Sequence, residues 1–403
     1  MTIAEPLLTS QDHTFVVALR RELHAHPELG FAEHKTAQRV AEALREAGLE
    51  VQEGIAGTGV KGVLRGAHPG KTMLIRADMD ALPIQEAEGR AYGSQIAGAM
   101  HACGHDGHTA MAVTAARLLA RRRGDLHGNV VFAFQPAEET TGGAEPMIRA
   151  GVLDEPKVDA AIGIHLANIL RIGEVSAQAG PVTAACDGIV LTIHGEGGHA
   201  ARPHLSVDPI AVAFQVGTAL QVLMTRERSP AQPAVLTIGA IHGGSASNVI
   251  ADSVALRGTL RTYDPELRIH LKRRIQETAE GMASAMRARA QVQWDDSYPS
   301  TVNNPAIVGL VRDAAAEVVG QQNLVELEAS LGGDDMAYFC AAVPGCYMRV
   351  GSANSEKGLD APAHSARFDF DEAALRIGVE TLVRTTERFL NGLDRESDKA
   401  KKE

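Results

Sequence analysis

Nine consecutive residues, Met100-His101-Ala102-Cys103-Gly104-His105-Asp106-Gly107-His108, hold three imidazoles, a thiol and a carboxylate. Cys103 and His105 stand two apart among small residues that let the backbone bend around an ion. Thiolate and imidazole suit zinc and other late first-row divalent metals. A buried polar cluster is costly unless something satisfies it, and a cation would do so. The bland alternative is a polar turn that happens to be rich in histidine, but such clusters more often mark metal or catalytic sites, and the rest of the chain decides.

Gln135-Pro136-Ala137-Glu138-Glu139 places two adjacent carboxylates behind an apolar run over 130–134, with Thr140-Thr141-Gly142-Gly143 after them. Such a pair is usually a solvated surface feature. In a turn, however, neighbouring side chains diverge, so one carboxylate can ligate a metal while the other acts as general base. Glu139 is thus a ligand candidate and Glu138 a base candidate. His165 follows an apolar run over 160–164, and His364 stands in Ala361-Pro362-Ala363-His364; singly, each carries little weight. Cys103, His105, Glu139, His165 and His364 together suffice for two divalent metal ions about 4 Å apart, able to activate a shared water and polarise a carbonyl. Softness favours zinc, nickel or cobalt, while the carboxylate and imidazoles also permit manganese.

The elements that must position these residues read as an alternation of helices and strands. Helical spacing covers 34–47, stopped by Gly48, and 109–123, with Met111, Ala115, Leu118 and Leu119 on one face. Short apolar strands are expected over 73–77, 130–134, 160–164 and 346–350. The first three lead into Asp78 and Asp80, into Glu138 and Glu139, and into His165, at the ends where open α/β sheets place their sites. The middle of the chain differs: strand 187–194, helix 208–225, strands 235–241 and 254–261, helix 265–288, strand 290–294, a ferredoxin-like order. The expected fold is α/β: a mixed-sheet catalytic domain flanked by helices over 1–185 and 298–403, with an inserted ferredoxin-like α+β domain over 186–297.

A chain of 403 residues exceeds the usual limit for one core, which agrees with that division. Its 45% hydrophobic and 22% charged content are ordinary for a globular protein. A net charge of -11 argues against a nucleic-acid partner, and the arginine run 121–123 reads as a solvated helix end. Cys103, Cys186, Cys340 and Cys346 show no disulfide spacing, so a reducing cytoplasm is expected. No secretion signal or membrane-spanning apolar run is visible, and from Asp394 onward a frayed tail is expected.

Asp78-Met79-Asp80-Ala81-Leu82-Pro83-Ile84, the nine-residue cluster, the Glu138-Glu139 stretch and the His364 run occur in an order that resembles the dimetal aminoacylase and carboxypeptidase family. The likeness is strongest to its hippurate hydrolase, N-acyl-amino-acid amidohydrolase and auxin-conjugate hydrolase branch, and runs from Arg20 to Glu372. It implies that Cys103 is a bridging ligand where other branches use aspartate, and that His105, Glu139, His165 and His364 complete two metal shells. It also implies Glu138 as general base and Asp80 as a carboxylate that orients the site, with Asp78, His101, Asp106 and His108 in support. The inserted domain resembles the family's lid or dimerisation domain. There His199, in Gly197-Gly198-His199-Ala200, would reach the partner subunit's active site and stabilise an oxyanion, and Asn248 would touch substrate. Arg261 is a candidate fork for a substrate carboxylate, against the commoner surface ion pair. Two departures stand out: Asp334-Asp335-Met336 where the family commonly has Glu-Asp-Phe, and Ala363 where leucine is common.

The expected protein is a metal-dependent amidohydrolase acting on small N-acyl amino acids, as a homodimer or dimer of dimers through the inserted domain. Two alternatives stay open. One is a dipeptidase or carboxypeptidase with the same dimetal site. The other is a non-catalytic metal-binding or redox-sensing protein reporting through an exposed, low-pKa Cys103, against which the spare carboxylate of Glu138 argues.

Overall fold

The computed structural model describes residues 3–296 and 298–392, so the tail expected from Asp394 onward lies outside them. The chain forms two compact units. One holds the residues up to Val182, Val302–Glu328 and the chain from Asp335 on; the other holds Thr183–Thr301 and Ala329–Asp334.

The first unit is built on a sheet that is seven-stranded among the described residues. Its order is Glu50–Ile55, Gly59–Arg65, His127–Gln135, His68–Asp78, Ala160–Arg171, Gly345–Ala353, Val175–Ser176. The four central strands run parallel and the outer ones antiparallel. Strand periodicity sends Met73, Ile75 and Ala77 into one core with Phe132, Phe134 and Ile162, while Leu74 joins Val131, Ala133 and Ala161 in a second core with Met147 and Phe339. Burial on both faces is why these strands read as continuous apolar runs. Each fully buried Phe or Leu contributes about 1.5–3 kcal/mol.

The helix His105–Arg121 is buried without a break from His105 through Ala116. It begins four residues before the helical spacing indicates. Gly104 caps it at φ 88, a left-handed conformation glycine adopts freely, and the polar first turn is satisfied by tertiary partners that periodicity cannot register. The strand Ala160–Arg171 likewise outruns its expected end, so His165 lies within it rather than after it. Further helices complete the packing, among them Ser10–Ala25, His34–Glu46, Pro305–Val319 and Ala373–Leu390. Two carried readable start signals: a Thr9/Asp12 capping box, and Asn304 before a proline.

The second unit has a four-stranded antiparallel sheet, ordered Ala234–Gly243, Ser253–Thr262, Ala185–His194, Arg289–Asp296, with helices Pro209–Arg226 and Pro265–Ala285. This is the expected ferredoxin-like arrangement. Asp208 and Asp264 each cap a helix whose first residue is proline. The second helix ends at Ala285, three residues early, where Arg287 turns to φ 67. Ile189, Leu191 and Ile193 face a one-sided core with Val216, Leu220, Leu271 and Ile275. Among the described residues, no helix is long and apolar enough to cross a membrane.

Candidate metal centre

The first unit brings the five expected ligands together. Ligand atoms of Cys103, His105 and His165 lie within 4.8 Å of one another, as do those of Cys103, Glu139 and His364, and those of His105, Glu138 and Glu139. Cys103 belongs to both of the first two sets. Its Sγ is 3.5 Å from Nε2 of His165, while Oε1 of Glu139 is 3.1 Å from Nε2 of His364 and 3.9 Å from Nε2 of His105. The His364 side chain is 54% exposed and marks the mouth of a site whose other members are buried or nearly so.

Backbone turns set these directions. Ala137 sits at φ 56 and its N–H donates to Oε1 of Glu33 (2.8 Å), whose other oxygen accepts from the Thr58 hydroxyl. A left-handed non-glycine residue costs about 1 kcal/mol and persists only where the surroundings hold it; here it turns the chain just before Glu138. His364, at φ 64, is held by its N–H to the Ala102 carbonyl at 2.7 Å.

Hydrogen bonds then decide which ring nitrogens face the cluster. His105 donates from Nδ1 to the carbonyl (2.9 Å) and Oδ1 (3.2 Å) of Asp80, whose Oδ2 accepts the N–H of Glu139 at 2.9 Å. In the neutral ring, the form that binds a metal, this leaves the lone pair on Nε2. His165 Nδ1 donates to the Leu166 carbonyl (2.6 Å), turning Nε2 toward Cys103. His108 uses both nitrogens, accepting the Leu166 N–H at Nε2 (2.8 Å) and donating from Nδ1 to Asp78 (2.6 Å). Asp78, His105 and His108 also lie close enough to form a ligand set, but Asp78 and His108 are already committed to the partners just named.

Behind the cluster lies a buried charge network that motif reading missed. Arg76 donates to Asp78 (2.5 Å), to Gln135 (2.8 Å) and to Asp335 (2.8 Å), and Asp335 also accepts from Gln135 and the Ala144 N–H. Asp335, which matches the aspartate of the commoner Glu-Asp-Phe pattern, thus closes the network, and the shorter acid is its neighbour Asp334. A charged residue inside an otherwise apolar strand, Arg76, was the available signal. Arg20 holds Asp106 (2.8 Å) and Asp369 (2.6 Å) in a second buried group that includes His24.

Burial would raise Asp78, but Arg76, His105 and His108 outweigh it and hold the carboxylate well below its usual range. Burial, then the neighbouring His108 and Arg349, keep His165 well below an ordinary histidine, hence neutral. Contact with Glu139 raises His364. Burial pushes the Cys103 thiol up, the opposite of the exposed low-pKa cysteine that the redox-sensing alternative needs. Glu139 Oε1 is buried yet accepts no well-aligned hydrogen bond, despite the nearby His364. A buried oxygen left this way among a thiol and imidazole lone pairs fits divalent cations of the late first row.

In the second unit, His199 and Asn248 are neighbours. The strand Gly198–His199 pairs with Val249–Ile250, and the Ala200 N–H donates to the Asn248 carbonyl at 3.1 Å. His199 accepts the Ala201 N–H at Nδ1 (3.1 Å) and is exposed. Arg261 is not brought to them. It lies near the far end of Ser253–Thr262, roughly 26 Å along the strand from Ser253 by strand rise, and donates to the Leu331 carbonyl at 2.7 Å.

The profile of peptidase family M20/M25/M40 matches residues 74–388. The chain belongs to this family and is a hydrolase, as its motifs indicated. It is 37% identical over 381 residues to thermostable carboxypeptidase 1 of Saccharolobus solfataricus, covering 94% of this chain and 96% of that one. It is 39% identical over 376 residues to the N-acetyl-L-cysteine deacetylase of Bacillus subtilis, covering 93% and 88%. A crystal structure of a Bacillus subtilis dinuclear metal-binding peptidase of the M20 family matches at TM-score 0.83 and 33% identity, covering 95% and 99%.

Proposed function

We propose that the chain is a metal-dependent amidohydrolase cleaving the amide bond of N-acyl amino acids. Two divalent cations (zinc, manganese, nickel or cobalt) would be held by Cys103, His105, Glu139, His165 and His364, with Cys103 shared. The observation that carries this reading is the membership of Cys103 in both ligand sets, with Glu138 beside His105 and Glu139. Such ions, when bound, lower the pKa of a coordinated water to about 7 and polarise a carbonyl.

The protein's own groups do the rest. Glu138 takes the proton of the attacking water as the new C–O bond forms, then delivers it to the leaving nitrogen as the C–N bond breaks. Asp80 orients His105 and Glu139. His199, supplied by the partner subunit, donates to the carbonyl oxygen as charge develops there. Asn248 contacts substrate, whereas Arg261, held by the Leu331 carbonyl away from His199 and Asn248, has no substrate role. In this reading residues 1–185 and 298–403 form the catalytic domain and 186–297 a lid through which a cytoplasmic homodimer, or a dimer of dimers, assembles. The four free cysteines support a reducing compartment.

The test is a metal-stripped and reconstituted enzyme assayed on N-acetyl and N-benzoyl amino acids. Glu138→Gln is expected to keep two metals per chain while turnover falls roughly 10²–10⁴-fold; near-normal turnover at full metal content rejects the assignment. The likeness to a carboxypeptidase favours a second reading, peptide substrates. Higher kcat/KM on dipeptides than on acyl amino acids would establish it.

A further inference from the structure

Arg349 lies on Gly345–Ala353 in register with His165 on one neighbouring strand and with Ser176 on the other. Side chains directly opposite one another in a sheet share a face, so Arg349 and Ser176 project the same way as His165. Tyr347, two residues earlier on that face, stands edge-on to the His165 ring with centroids 6.1 Å apart. Arg349, Ser176, Tyr347, Gln178, Leu327 and Glu328 line a narrow recess there.

The recess has one uncommitted cation. The Gln178 amide is used by the Leu327 backbone, donating at 2.5 Å and accepting at 3.0 Å. Among the described residues the Arg349 side chain makes no hydrogen bond or ion pair, and Glu328, the acid of the lining, is exposed and makes no ion pair with it. This is unusual company for an arginine in a chain with 50 acidic residues against 39 basic ones. Arg20 and Arg76, the buried arginines of the same unit, are each paired with carboxylates. A half-buried guanidinium with no carboxylate partner among the described residues, in register with a candidate metal ligand on one strand and with a serine on the other, is a group able to pair with a planar anion.

We propose that Arg349, with the Ser176 hydroxyl, binds a carboxylate of the substrate and so selects anionic amides. This rests on the amidohydrolase reading. The carboxylate is either the α-carboxylate of the amino acid or a second one on its side chain, and two substrate pairs separate these: an N-acyl amino acid against its α-amide, and N-acyl glutamate against N-acyl glutamine. The full-length, metal-loaded enzyme is compared with Arg349→Met and Arg349→Lys. In Arg349→Met the acid-to-amide ratio of kcat/KM is expected to fall roughly tenfold to a hundredfold for at least one pair, chiefly through KM. Arg349→Lys should recover part of it, as a point charge without the fork. The pair that responds identifies the carboxylate. Ratios unchanged for both pairs overturn the proposal and leave the amidohydrolase reading standing; a wild-type enzyme that hydrolyses none of the four substrates overturns both. Melting temperature and metal content check that the Met variant is folded and loaded, and where it is not, Arg349→Lys decides by the same ratio.

Discussion

Asp80 ties two candidate ligands into one unit, one carboxylate oxygen facing Nδ1 of His105 and the other the backbone N–H of Glu139. Both partners are donors, so both oxygens are needed. Asparagine at this position keeps the shape but has a single acceptor, and its amide N–H₂ would face a donor. Asp80→Asn is therefore expected to lower metal affinity roughly 10–100-fold with little change in fold. Titration against a competing chelator measures this, and wild-type affinity in the variant would remove Asp80 from the orienting role. His108 provides the contrast: it is as buried as His105 and three residues away, but the Leu166 N–H and Asp78 occupy both its nitrogens.

At the scale of elements, the helix His105–Arg121 carries the cluster at its first turn and must be held along its length. Gly107 allows this closeness, since a Cβ there would come within 2.6 Å of Leu166 and 2.8 Å of Phe370. At the other end Arg121 donates to Asp12 (2.8 Å), the same carboxylate that closes the capping box of Ser10–Ala25. Burial would raise Asp12, but the Thr9 hydroxyl and Arg121 outweigh it and hold it below the usual range. A depressed carboxylate contributes stability that is present above its unfolded pKa and lost as pH falls through its folded one. Asp12→Asn should therefore cost about 1 kcal/mol at pH 7. The difference from wild type should shrink once pH drops below about 4, where the unfolded carboxyl protonates. Urea midpoints across pH measure this; a difference constant down to strong acid would mean that the charge of Asp12 contributes nothing.

At the scale of the molecule, the second unit places His199 and Asn248 together at one end of its sheet and Arg261 toward the other. If His199 serves the partner subunit's active site, two inactive variants should complement each other. Glu138→Gln and His199→Ala homodimers would each be poor enzymes, while a mixed dimer contains one active site free of both changes. Mixing and re-equilibrating the two variants is expected to restore turnover well above either alone. Failure to restore it, with subunit exchange demonstrated, places His199 outside the partner's chemistry.

The five ligand candidates and the candidate base were legible from residue type and local context, because metal chemistry restricts which side chains can serve and glycine, proline and small residues mark where the chain turns; the candidate orienting role of Asp80 came from the family resemblance. The ferredoxin-like unit was legible too, since its strands and helices follow their own periodicities and Asp-Pro starts both helices. Arg76, Glu33 and Asp335 were not assigned roles, because a buried charge is defined by its partners, most of which here are distant in sequence, up to 259 residues away. The early start of the helix at His105 escaped for the same reason. Periodicity records which face is apolar, whereas the first turn is stabilised by Asp80, Asp78 and Arg20 from other elements. Local pattern thus determined which groups could do the chemistry; long-range pairing in a low-dielectric interior decided which nitrogen, which oxygen and which charge face the site.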